Sequence, residues 1–292
     1  MVQQDGATGL PPRSAVPTDA VEMKTYAART QRTDEDVYYE RDASYTEWLK
    51  WYREVEYPRY RHPDVTVDCV VLTVDESSLR GDSTQVPDCL KMLVVDRWTH
   101  PFRGSMALPG TFMRPEDHND RAVVARMLRD RFDFDVDGSA DVDDDVHIRQ
   151  LQTFTGAQRD PRGQVVSIAN VVYVQRGVER IKETEGVHWL PLLEVTSKPL
   201  AFDHNEIVAT AVRRIRSQFA WMPRVFWSLP SPFGVTDALK LRASLFGEDY
   251  KSINRKNFKR KYQAVWVADH VEINPVTKMP VDFYHYEGGS FE

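Results

Sequence analysis

The sequence predicts an α+β or α/β body over roughly residues 58–196, followed by a helical segment with a terminal β-hairpin over 200–292. Three observations carry this prediction. Two β-branched apolar runs, Val65–Val74 and Leu90–Val95, have strand character. An amphipathic helix and further strand candidates follow them, which is the order of an α+β body. From Asp203 onward the pattern turns helical and returns to alternation only near the end.

At 292 residues the chain is too long for one compact domain and about right for two. Hydrophobic residues make up 41% and charged ones 28%, an ordinary balance for a soluble globular protein. No apolar run approaches the roughly 18 residues a membrane span needs. The polar start, Met1 to Pro12, has no charged-then-apolar leader. Neither Cys69 nor Cys89 belongs to a CxxC pair, and Cys69 opens an apolar run, as a buried core thiol would. A reducing cytoplasm is the expected compartment.

Residues 1–57 read as an N-terminal arm. Gly6, Gly9, Pro11, Pro12 and Pro17 amid Ser, Thr and Gln predict disorder up to about residue 40. Tyr45, Trp48, Leu49 and Tyr52 recur at helical spacing, so Ser44–Glu56 is expected to form a short amphipathic helix docked on the body. After the first two strands, separated by a polar loop around Gly81, Val124, Met127 and Leu128 share one helical face. Arg126, Arg129 and Asp130 share the opposite face. Ile148–Phe154, Val165–Gln175 and His188–Val195 are further strand candidates. Asp203-His-Asn-Glu206 has the pattern of a capping box, with Val208, Ala211, Val212 and Ile215 continuing a helix. Leu239, Ala243 and Phe246 mark another, starting after Thr236 and stopping at Gly247. Phe258, Tyr262 and Val265 mark a third. Ala264–Val271 and Pro280–Tyr286 alternate around Asn274-Pro275, as a hairpin would. There is no internal repeat.

The last of these helices is where the charge concentrates. Lys251 to Gln263 carries six basic residues and no acid, although the whole chain sums to −6. A helix, a short Gly-containing turn, a basic helix and a hairpin follow the order of a winged helix-turn-helix. Lys251, Ser252, Lys259, Arg260 and Lys278 are assigned to DNA contact. Asn254, Arg255 and Asn257 are placed to reach base edges, because Arg suits guanine and Asn suits adenine. The plain alternative is a solvated basic helix balancing an acidic body. An RNA reader would want exposed aromatics on a sheet, which the pattern lacks.

The segment Trp98-Thr-His-Pro-Phe-Arg-Gly-Ser-Met-Ala-Leu-Pro-Gly110-Thr-Phe-Met-Arg-Pro-Glu-Asp117 resembles the approach to a Nudix box. Aligning Leu108-Pro-Gly puts Thr111 at the box glycine, Asp117 at the first glutamate, Arg126 at the second, and Arg129 and Asp130 at the last pair. Sliding by one restores Gly110 and Glu116 but puts Ala125, Leu128 and Arg129 at the acidic positions. Neither register clusters the carboxylates that magnesium requires. Thr155 to Ile168 contains Arg159-Asp160-Pro-Arg162-Gly163, which resembles the RDPRG loop of ADP-ribose-binding Nudix domains. With Leu200-Ala-Phe-Asp-His204 and Asn257-Phe-Lys-Arg-Lys261, the combination resembles the NrtR-like, Nudix-related transcriptional regulators. The resemblance covers about residues 60–288.

It implies a Nudix-like α/β/α sandwich joined to a winged helix-turn-helix, and a homodimer on a palindromic double-stranded operator, released by a small effector, often ADP-ribose. Arg159, Asp160 and Arg162, together with Arg103, Phe112, Arg126 and Arg129, are the expected effector residues, the last two arginines replacing metal ions as partners for phosphates. No metal, cofactor or catalytic residue is assigned. A Nudix hydrolase of ADP-ribose-like pyrophosphates is the alternative enzyme reading, and a binding scaffold without operator or activity is the third. No HxxxH, GxSxG or phosphate-loop motif is present.

Overall fold

Strand β1 (Asp64–Val74) runs through the middle of the main sheet. It matches the run predicted from Val65, and its residues from Val67 to Val74 are all buried. A strand covered on both faces keeps a near-continuous apolar sequence, which is why this one is so legible. The computed structural model describes residues 33–59, 62–80, 86–136, 146–275 and 277–288. The Gly/Pro-rich arm up to residue 32 and Gly81 therefore lie outside the described residues.

The chain divides into two units, at His62 and Pro63. In the first, α1 (Asp34–Arg41) and α2 (Tyr45–Trp51) each begin with a capping box, Thr33 with Asp36 and Ser44 with Glu47. The predicted helix to Glu56 is α2 plus a π-helical turn, Tyr52–Glu56. Its aromatic residues do form a stripe, with Tyr45–Trp48 and Trp48–Tyr52 ring centroids 5.6 and 5.4 Å apart.

In the second unit, β2 (Leu90–Asp96), β3 (Met106–Ala107), β4 (Gly110–Phe112), β5 (Val146–Phe154), β6 (Val165–Val174) and β7 (Val187–Pro191) join β1 in one sheet. β1 is parallel to β6 and antiparallel to β2 and β4, so the sheet is mixed. One edge of β1 is shared: Thr66–Asp68 pair with β4, Leu72–Val74 with β2. Alternation along β1 then supplies two cores. Val67, Cys69 and Val71 face α3 (Asp120–Phe132), packing with Val124, Met127 and Leu128. Val70, Leu72 and Val74 face α4 (His204–Gln218), packing with Ile207, Val208, Ala211 and Ile215. Helix, sheet and helix form the expected α/β/α sandwich. Cys69 and Cys89 are buried free thiols, and burial pushes Cys89 up to about 12.

Beyond α4, β8 (Phe233–Gly234), α5 (Val235–Phe246), α6 (Arg255–Tyr262), β9 (Val267–Ile273) and β10 (Pro280–His285) follow. The three strands pair in the order β8-β10-β9. Gly247 ends α5 with φ +73, a left-handed cap that suits glycine. Asn254 caps α6, its Oδ1 accepting from the Asn257 N–H at 2.9 Å. This is the strand-helix-turn-helix-hairpin order of a winged helix-turn-helix.

The two regions share one apolar core. Phe226, Phe233, Leu241, Leu245, Phe258 and Tyr262 belong to the same buried cluster as Leu72, Leu90 and Met92 of the sheet. Polar contacts reinforce it: the Leu90 N–H donates to Ser244 Oγ at 3.0 Å, Arg216 to the Leu245 carbonyl at 2.7 Å, and the Tyr262 hydroxyl to the Phe219 carbonyl at 3.1 Å. Among the described residues no helix is long and apolar enough to cross a membrane.

Two local expectations are corrected. The strand expected over His188–Val195 stops at Pro191, whose ring cannot donate to a ladder, and Leu192–Val195 form a helical turn that buries Leu192 and Val195. Asp203 stands at the N-cap of α4 but makes no side-chain cap, because its carboxylate is bound elsewhere.

Candidate functional site

A cleft of about 520 Å³ opens beside the β4 end of β1. The β2–β3 loop contributes Arg97, Trp98 and His100, the end of α3 contributes Arg131, and the 155–164 loop contributes Arg162. Phe112, Phe202 and His204 also line it, as do the carboxylates of Asp68, Asp96 and Glu185. The guanidinium of Arg97 lies 4.6 Å from the Phe202 ring centroid, and that of Arg162 lies 4.8 Å from Phe112, both cation–π distances. Phe102 and Phe202, rings 4.8 Å apart, both have left-handed backbones, φ +59 and +56, which bulky residues rarely adopt. Such strain gathers at binding sites. Arg97 is half-buried and donates from Nε to the Pro101 carbonyl at 2.7 Å. Burial and the neighbouring charge of Arg162 lower its pKa. Among the described residues no carboxylate pairs with Arg97 or Arg131. A cleft with unpaired guanidiniums is built for an anion.

The two arginines of the RDPRG loop have different jobs. Arg159 is buried and grips Asp203 with two bonds, Nε to Oδ2 at 2.9 Å and Nη2 to Oδ1 at 2.8 Å, and reaches Asp68 Oδ2 at 3.1 Å. Burial opposes its charge, and the Asp203 and Asp68 carboxylates outweigh that, leaving its pKa raised. It thus locks the loop to the Leu200–His204 segment. Arg162 binds Asp160 instead, Nη2 to Oδ2 at 2.6 Å, which aims its stem at the cleft. His204 is buried, accepts at Nδ1 from the Leu108 N–H at 2.9 Å, and so carries its proton on Nε2, 3.7 Å from Asp68. Desolvation keeps it neutral by lowering its pKa. The close approach of β4 to this group needs Gly110, because a Cβ there would lie 2.3 Å from Asp68 Oδ1.

Arg126 is not among the residues that line the cleft. Its Nε donates to Asp117 Oδ1 at 2.9 Å, and Nη2 donates to Asp117 Oδ2 at 2.7 Å and to the Phe112 carbonyl at 2.8 Å. The two side chains are only 9% and 5% exposed. The bond from Arg126 holds the Asp117 carboxyl below its ordinary pKa.

At the other end of the unit, α6 buries Phe258 and Tyr262 and leaves Lys256, Arg260 and Lys261 exposed. Lys259 pairs with Asp282 of β10, tying helix to hairpin. Arg255 donates to the Thr236 hydroxyl of α5, and Arg260 to Asn257 Oδ1 at 3.1 Å. Lys251 and Ser252 sit exposed on the turn before the helix, and Lys278 is exposed in the hairpin turn.

No family model matches the chain. It is 23% identical over 243 residues to the ADPR responsive transcriptional repressor NtrR of Acinetobacter baylyi, covering 82% of this chain and 87% of that one. Among solved structures, a MutT/nudix family protein from Enterococcus faecalis superposes with TM-score 0.69 at 28% identity, over 87% of this chain and 98% of that chain. NrtR of Shewanella oneidensis, in a complex with a 27mer DNA, gives TM-score 0.61 at 25% identity, covering 76% and 93%. In sequence and in fold the chain is thus similar to the NrtR-like, Nudix-related regulators.

The segment that resembles a Nudix box is Leu108–Asp117 with α3, and its donors do not fit a divalent cation. The second glutamate position bears a guanidinium already bonded to the carboxylate at the first. Glu116 is exposed beside Arg114 at 3.9 Å, and Asp130 is exposed beside Arg129 at 3.5 Å. Among the described residues no group of three or more His, Cys, Asp or Glu side chains is placed to hold a metal. Of the residues assigned to an effector from sequence, Arg162 and Phe112 line the cleft, and Asp160 positions Arg162. Arg159 and Arg126 are bound to carboxylates, while Arg103 and Arg129 are exposed outside the lining. Arg97, Trp98 and Arg131 escaped the sequence reading. Only the clustering of Arg97 and Trp98 at the head of the box-like segment hinted at them.

Proposed function

We propose that this protein is a DNA-binding transcriptional repressor whose Nudix-like region, residues 58–199, binds ADP-ribose or a close relative without hydrolysing it. Residues 200–292 supply the winged helix-turn-helix, with α6 as the DNA-reading helix of a homodimer on a palindromic operator. The observation that carries the reading is the single core that joins an unpaired-guanidinium cleft to an exposed basic helix. Catalytic silence follows from Arg126, which holds the carboxylate a metal would need. The effector acts by favouring a state whose two reading helices no longer match half-sites about 34–36 Å apart.

The test is fluorescence anisotropy of a duplex from upstream of the protein's own gene cluster, titrated with and without ADP-ribose. Ligand is expected to weaken DNA binding, and DNA to weaken ligand binding by the same factor. Unchanged DNA affinity at saturating ligand would refute the sensor. Turnover of ADP-ribose with magnesium, abolished by Asp117→Asn, would establish the hydrolase instead.

A further inference from the structure

Trp98 is 61% exposed at the mouth of the cleft, the most open of its aromatic residues. An indole has an apolar face and a polar N–H, which is why Trp is enriched where one side of a contact is apolar and the other wet. Its placement is built in. The Asp96 N–H donates to the Gly186 carbonyl at 2.8 Å, drawing the two segments together. A Cβ at Gly186 would then lie 2.8 Å from Trp98 Cζ2 and 3.0 Å from Nε1, so only glycine leaves room for the ring, and its φ of +80 suits glycine as well. Next along the chain, Arg97 is braced on Phe202, which also lies 5.7 Å from the Arg162 guanidinium. The cleft therefore has an aromatic plate beside the guanidiniums of Arg97, Arg131 and Arg162 in its lining.

We propose that Trp98 is the base-stacking residue of this cleft, so that its ligands are nucleotides whose base packs on the indole while Arg97, Arg131 and Arg162 hold the phosphates. The proposal rests on the cleft being the effector site. Every base presents a π-face, so stacking accepts the ring system without reading its edges. Sugar phosphates without a base meet only the arginines and bind more weakly.

Isothermal titration with ADP-ribose, ADP and ribose 5-phosphate, on the parent, Trp98→Leu and Trp98→Phe, separates the possibilities. Trp98→Leu is expected to lose about tenfold in affinity for ADP-ribose and ADP. Its ribose 5-phosphate affinity should match the parent's, and Trp98→Phe should recover most of the loss. Equal affinity of parent and Trp98→Leu for ADP-ribose overturns the role of Trp98 while leaving the effector site standing. An equal loss for all three ligands overturns it too, since that is the mark of a merely structural residue. A parent that binds none of the three removes the effector site and the proposal together.

Discussion

Replacing Arg126 by alanine should be among the most damaging single changes in the second unit. The substitution removes three donors and leaves the Asp117 carboxylate, 5% exposed, without its cation. Breaking a buried pair by deleting one partner costs about 3–5 kcal/mol, because a desolvated charge is left uncompensated. At about 2–4 °C per kcal/mol for a unit of this size, the midpoint of thermal unfolding should fall by on the order of 10 °C. The loss also has a pH signature. In the parent, Asp117 has a depressed pKa, so its contribution is present above the unfolded value of about 3.9 and is lost as pH falls through the folded value. In the variant, burial without a partner raises that pKa, and protonation relieves the penalty as pH falls. The gap between parent and variant is therefore widest near pH 7 and narrows toward pH 4. Denaturant unfolding at a series of pH values measures it. A double variant, Asp117→Leu with Arg126→Met, should regain most of the stability, since an apolar pair of similar size replaces a buried ion pair at little cost. A loss below about 1 kcal/mol for Arg126→Ala, the scale of a solvent-exposed pair, would refute the argument.

Asp282→Ala should release Lys259 for a phosphate, raising DNA affinity at low salt and steepening the slope of log K against log salt by about 0.9. Arg255→Ala should cost about 1–3 kcal/mol at the operator and relax base preference there, read by competition between operator and scrambled duplexes. Arg162→Ala should abolish the ADP-ribose response in the anisotropy titration while ligand-free operator affinity stays at the parent value. Gly110→Ala should lower stability by about 1–3 kcal/mol in denaturant unfolding, since its Cβ meets the Val67 carbonyl at 2.9 Å as well as Asp68, and backbone cannot swing aside.

The parts of the fold that could be read from sequence were those whose burial leaves a periodic trace. β1 shows as an unbroken apolar run, α5 shows its stop at Gly247, and the basic charge of α6 stands out against an acidic chain. What stayed hidden depends on partners distant in sequence. Asp203 has the spacing of a helix cap, yet Arg159, 44 residues away, takes its carboxylate with two parallel bonds in which both partners are charged. Arg159 and Arg162 look equivalent in the RDPRG loop, and only the fold shows that one is a clamp and the other lines the cleft. Arg126 illustrates the same limit. Its place in the register of the box could be read, whereas its bonding to the Asp117 carboxylate could not.

The shared core beneath α4 and α5 has a mechanical consequence. Side chains packed at crystalline density do not bend smoothly, so the sheet and the basic helix, which share that core, resist flexing against one another. Under the proposed function, a small change at the cleft would then be passed on through the core, with no hinge within it to take it up. In the proposed dimer the change would be taken up at the contact between chains, where α6 and its symmetry mate would swing together or apart. The stiffness of each chain is what makes the pairing of chains the adjustable part.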